Sequence, residues 1–298
     1  MAETFLRRWF GKRPSAPAAD EARAEIDRVL ADRPELRAPL SWLREVLDDL
    51  VPTPGLASVP LPEPDAARAK LLAGTPLLRG EPVTFAEAEL VRRWERFRRA
   101  LPPAAPAPLA PAADPVVVGG RTDPFALMRA IRGDGLPPGR GMVHTLTRFV
   151  HFPALVPIAD AAAPLRRGVP WDRGYCPVCG GPPLLAEFRG LDQSRFLRCG
   201  DCATSWEVPR QWCPACGTRD HEVLGFLAKE GEEARYRVAT CDGCRTGIKT
   251  LSTLSALPPL MLLVADAATL HLDLAAADRG YQPPSAAAVP GGVRKEER

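Results

Sequence analysis

The sequence predicts an α+β protein, with an N-terminal helical region, two tandem cysteine-bearing strand modules and a C-terminal helix. Three observations predict this class. Apolar residues recur at helical spacing through the first third of the chain, and all eight cysteines fall into four CxxC pairs. Short apolar runs between turn formers surround those pairs.

Taken in order, 20–32 places Ala22, Ile26, Val29 and Leu30 on one helical face, and 34–50 does the same with Leu36, Leu40, Leu43, Leu47 and Leu50. Thr84 and Glu87 have capping-box spacing and predict a helix running through Leu101. Asp123 and Pro124 open another helix that Gly133 ends. The stretches 51–64 and 102–115, rich in proline and alanine, read as connectors. Strands are expected over 184–189, 194–198, 204–208, 222–228, 235–240 and 247–251, and a helix over 260–277 ahead of a loose tail. The expected units are a helical domain (1–165), two ribbons (170–210 and 211–256), a C-terminal helix (257–281) and a flexible tail (282–298).

The cysteine pairs are Cys176/Cys179, Cys199/Cys202, Cys213/Cys216 and Cys241/Cys244. Each CxxC turn supplies two of the four sulfurs that a thiolate-bound metal takes in a tetrahedron. The gaps within successive couples are 19 and 24 residues, close to metal-ribbon spacing, whereas interleaved pairing needs loops of 33 and 38. Sequential pairing therefore predicts two four-cysteine sites in rubredoxin-like or zinc-ribbon modules. Both modules begin CPxCG and end with a Gly/Asp knuckle, an internal duplication with a period of 37 residues. Glycine after the second ligand accepts a left-handed conformation that turns amides toward sulfur. Modules with so little apolar core draw much of their folding free energy from the metal, on the order of 10 kcal/mol for zinc. Iron and zinc both suit four thiolates.

Disulfides are the competing reading of eight cysteines, and they belong to oxidising compartments. Arg7 and Arg8 superficially resemble a twin-arginine signal, but Pro14, Pro17, Asp20 and Glu21 follow where an apolar stretch should stand. A cytoplasmic protein is expected. No run of 18 apolar residues exists, so no membrane span is expected.

Arginines gather at Arg92, Arg93, Arg96, Arg98 and Arg99 and read as a solvated helix face. The segment 171–250 is formally neutral, with 11 basic and 11 acidic residues, and two loaded sites would add about −4. That sign opposes nucleic-acid binding. His144, His151, His221 and His271 are not needed as ligands, because cysteines complete both tetrads. No catalytic motif is present, and no enzyme activity is expected.

The ordered set CPxCG, CxxCxTxW (Cys199, Cys202, Thr204, Trp206), CxxCG, and CDxC followed by Ile248 and Lys249 resembles the formate dehydrogenase accessory protein FdhE family. Val264, Ala265, Asp266, Leu270, Leu272, Asp273, Gly280 and Tyr281 extend the resemblance, which covers about 175–281. It implies an assembly factor that binds the catalytic subunit of a twin-arginine-exported molybdenum formate dehydrogenase before export. It also implies two metal ions, iron being favoured, and possible homodimers. Other classes predict different behaviour: a nucleic-acid-binding zinc ribbon would show salt-sensitive association, and a rubredoxin-like electron carrier reversible reduction.

Overall fold

The computed structural model describes residues 16–101, 117–118, 121–122 and 142–284. The connector expected over 102–115, the helix over 123–133 and most of the tail lie outside these residues.

Helix α1 (Ala16–Asp32) buries Ala19, Ala22 and Ile26, as its periodicity predicts. The single helix expected over 34–50 is divided. Its middle is α2 (Arg37–Val46), flanked by 3₁₀ turns at Pro34–Leu36 and Leu47–Leu50. The core leucines stay inside because a 3₁₀ turn stacks residues three apart, which keeps Leu47 and Leu50 on one side. A further helix, α3 (Pro64–Leu72), grows out of the expected connector with proline in its first turn, where the missing N–H costs nothing.

The capping box does not form. Thr84 lies in a two-residue strand, β2 (Thr84–Phe85), antiparallel to β1 (Ala57–Ser58), and α4 (Glu87–Ala100) starts from Ala86 with no side-chain cap. Glu87 and Glu89 in its first turn and Arg98 and Arg99 in its last complement the helix dipole instead. A second two-residue pair joins β3 (Val117–Val118) to β4 (Arg121–Thr122). Helix α5 (Met142–Ala161) contains Pro153 and Pro157, residues that argue against a helix in sequence. Pro157 cannot donate to the carbonyl of Pro153, and the Thr53 amide does so at 2.8 Å, tying α5 to the segment before β1.

The cysteine half folds into one six-stranded sheet. β5 (Pro183–Arg189), β6 (Ser194–Cys199) and β7 (Ser205–Val208) form an antiparallel meander, and β8 (Leu224–Leu227), β9 (Tyr236–Cys241) and β10 (Thr246–Thr253) form another. The order is β7-β6-β5-β10-β9-β8, and the meanders join where β10 runs parallel to β5, from Thr250 beside Ala186 to Thr253 beside Arg189. The expected tandem modules therefore share one sheet, with β7 and β8 at its edges.

The C-terminal helix is two: α6 (Pro259–Ala268) and α7 (Leu270–Asp278), bent by 49°. The break falls at buried Thr269, whose hydroxyl donates to the Ala265 carbonyl at 2.7 Å. No single described helix is long and apolar enough to cross a membrane, and the apolar face of α6 is buried, with Leu260, Leu263 and Val264 in the main core. That core runs without interruption from α1 to the first four cysteines.

Candidate metal centres

Three of the four CxxC pairs close the same hydrogen-bonded turn. The amides of Gly180, Ala203 and Gly217 donate to the carbonyls of Cys176, Cys199 and Cys213 at 2.9, 3.2 and 2.9 Å. The residue after each second cysteine is left-handed: Gly180 (φ 80°), Ala203 (φ 56°), Gly217 (φ 77°) and Arg245 (φ 57°). The expectation for the CPxCG glycines is thus met, and the other two knuckles place alanine and arginine in the same strained conformation. Gly200 and Gly243, inside those knuckles, are not left-handed. A Cβ on Gly200 would lie 2.6 Å from the movable end of Arg148 and 3.2 Å from Leu184 Cβ, so a larger residue there would have to displace both.

The turns bring the sulfurs together in chain order. Cys176, Cys179, Cys199 and Cys202 form one group and Cys213, Cys216, Cys241 and Cys244 the other, with ligand atoms in each within 4.8 Å of one another. Sulfur separations of 3.4 to 3.6 Å in the first group and 3.6 and 3.8 Å in the second suit a tetrahedron, whose edge is about 3.8 Å for 2.3 Å metal–sulfur bonds. All eight cysteines are free thiols.

Donors surround the sulfurs, as thiolates require. In the first group the amides of Val178, Gly181 and Asp201 reach Cys176, Cys179 and Cys199, each at 3.4 Å. Thr204 Oγ1 lies 3.1 Å from Cys202 Sγ, and Thr246 Oγ1 lies 3.3 Å from Cys244 Sγ. The two threonines occupy the same place in the duplicated plan. Thr246 was missed from sequence, though comparing the two repeats at the second residue after the knuckle exposes it. Burial alone would push the Cys244 thiol up, but hydrogen bonds from Thr246 and the neighbouring thiols bring it down to about 7.

The two groups differ in setting. All four sulfurs of the first are buried, whereas Cys216 is exposed and Cys244 half-exposed in the second. The helical region closes over the first group. The amides of Leu77 and Leu78 donate to the carbonyls of Pro177 and Val178, both at 2.9 Å, and the Tyr175 hydroxyl donates to the Gly74 carbonyl at 2.7 Å. Asp201, buried in the second knuckle, has its carboxyl pushed up to about 6 by burial, with Arg148 pulling the other way.

Two buried ion clusters hold the sheet to its surroundings. Glu187 on β5, fully buried, pairs with Arg198 and Arg189 and accepts the Leu257 amide at 3.2 Å. Lys249 on β10 donates to the Asp266 carbonyl at 2.9 Å and to the Asp273 carboxylate at 2.6 Å, pinning α6 and α7 to the sheet. Ile248, Lys249, Asp266 and Asp273 of the family resemblance are therefore packing residues.

The arginine run on α4 is neutralised locally. Arg92 and Arg93 pair with Glu89, Arg96 with Asp49, and Arg98 and Arg99 with Glu95. His271 sits against Arg33 and Glu232, His151 is buried in the helical core, and neither lies in a sulfur group.

Residues 175–210 match a family model described as FdhE, central domain. Curated relatives include a Protein FdhE homolog of Rhizobium meliloti, 34% identical over 161 residues, which cover 51% of this chain and 50% of the relative. Another, from Stutzerimonas stutzeri, is 35% identical over 157 residues, covering 47% and 50%. Protein FdhE of Escherichia coli O127:H6 is 34% identical over 111 residues, covering 37% and 35%. The chain thus spans about half the length, or less, of the curated relatives it matches. The crystal structure of the FdhE protein from Pseudomonas aeruginosa has the same fold, with a TM-score of 0.55 and 23% identity over 94% of this chain and 99% of that chain. Knuckle order, relatives and fold converge on one likeness: the chain is similar to FdhE proteins and matches their central domain over residues 175–210.

Proposed function

We propose that this protein is a cytoplasmic, non-catalytic accessory factor of a respiratory formate dehydrogenase that binds the molybdenum-bearing catalytic subunit before twin-arginine export. Cys176, Cys179, Cys199 and Cys202 hold one metal ion, and Cys213, Cys216, Cys241 and Cys244 hold the other. When bound, zinc supplies a structural cross-link, and iron supplies a one-electron couple besides. The protein's own residues fix the sulfurs, shield the first site from water and donate hydrogen bonds to thiolates. The units expected from sequence then divide the labour, with the helical region (1–165) as scaffold and the two ribbons (170–210 and 211–256) as the presenting surface.

The observation that carries this reading is the pair of sulfur tetrads on one sheet, the first of which lies within the segment 175–210 that matches the FdhE central domain. A tagged full-length chain expressed with a formate dehydrogenase tests it. The tag should capture the catalytic subunit, and replacing Cys213 and Cys216 with serine should empty the second site and abolish capture and maturation. Full maturation with an empty site refutes the coupling.

A further inference from the structure

One face of the sheet, beside the second sulfur group, carries a groove of about 800 Å³. Arg195, Arg210, Arg219 and Arg237 line it, and no aspartate or glutamate does. Among the described residues no carboxylate lies within ion-pair distance of any of the four, whereas the arginines of α4 are all paired. Arg195 is only 3% exposed. Its Nη1 donates to the Trp212 carbonyl at 2.7 Å, and Nε and Nη2 have no hydrogen-bond partner. A buried guanidinium with no carboxylate beside it adds positive charge to the groove, offset in part by the neighbouring Cys213 sulfur. At the rim, Arg237 lies over the Phe226 ring at 5.0 Å and Arg210 over Phe188 at 5.8 Å.

We infer that this groove docks an extended acidic segment of a partner polypeptide, with glutamate or aspartate side chains set among apolar ones. Charge complementarity calls for an anion, and three further features select a peptide. Strand β8 ends the sheet and offers its outer main-chain groups to an added strand. Phe226 on that strand is 59% exposed, and Leu224 and Phe188 line the groove with it. Such side chains suit apolar contacts rather than a phosphate backbone. Finally, Cys213 and Cys241 line the same groove, and a loaded tetrad there carries about −2. A continuous row of phosphates would run into that charge. Spaced carboxylates avoid it.

The inference rests on the accessory-factor reading only in supposing a protein partner, and a synthetic probe separates the two. Full-length metal-loaded protein is titrated into a fluorescein-labelled peptide alternating glutamate and valine around one phenylalanine. The same peptide with glutamine for glutamate and an oligothymidylate serve as the other arms, read by anisotropy. The acidic peptide should bind saturably, weaken as salt rises, and lose tenfold or more in affinity in Arg210→Glu/Arg237→Glu protein that retains both ions and the wild-type circular dichroism. Phe226→Ser should also weaken it. Equal binding of the glutamine peptide, tighter binding of oligothymidylate, or indifference to the groove variants overturns the proposal. Failure of the acidic peptide to bind also overturns it, and leaves capture of the formate dehydrogenase subunit to stand or fall by itself.

Discussion

Challenge with a thiol-competing chelator should empty the two sites at very different rates. To reach the first tetrad, a chelator must lift the segment around Leu77 off the first knuckle. That breaks the Leu77 and Leu78 amide bonds to Pro177 and Val178 and uncovers two leucines that are 0% exposed. Two hydrogen bonds at about 1 kcal/mol each and two leucines at about 1.5 kcal/mol or more each give an opening cost of about 5 kcal/mol. At about 1.4 kcal/mol per decade, release slows by more than a thousandfold. The second tetrad needs no such opening, because Cys216 is exposed. Metal appearance followed with a colorimetric indicator should show a fast and a slow phase of equal amplitude. Cys216→Ser should remove the fast phase alone. A single phase delivering both ions, or a fast phase that survives Cys216→Ser, refutes the reasoning.

Other expectations concern stability. Glu187→Leu leaves Arg198 buried without its carboxylate and should cost about 3–5 kcal/mol in urea unfolding, whereas a loss below about 1 kcal/mol would mean the pair is dispensable. His151 is buried and neutral, its pKa lowered by burial from 6.5 to about 4. The unfolded chain takes up a proton first, so stability falls as pH drops from 6.5 toward 4, by up to about 3 kcal/mol. That slope should be missing from His151→Gln relative to wild type. Ala203→Gly relieves a left-handed alanine and should stabilise by about 0.5–1 kcal/mol, while Gly180→Ala, with φ of 80° and a Cβ 3.2 Å from Pro76, should destabilise by about 1 kcal/mol or more. Thermal melts of metal-loaded protein decide both signs.

Metal-ligand spacing is a local code, which is why all eight cysteines, their grouping and most strands were legible in sequence. Helix periodicity was equally legible for α1 and for the leucines of 34–50. What escaped depends on partners distant in the chain. Pro153 and Pro157 hid α5, because nothing local reveals that Thr53 replaces the hydrogen bond lost at Pro157. Thr84 looked like a cap, but pairing with Ser58 drew it into a strand. The parallel seam between β5 and β10 is invisible to patterns read within each repeat, and so was the different burial of two nearly identical sites.

That seam has a consequence. Had the repeats met about a twofold axis, both sulfur groups would occupy equivalent surroundings. Side-by-side parallel joining gives the pair a polarity, with one repeat anchored inward against the helices and the other facing out. A duplicated element can then keep one copy as keystone and free its twin to change.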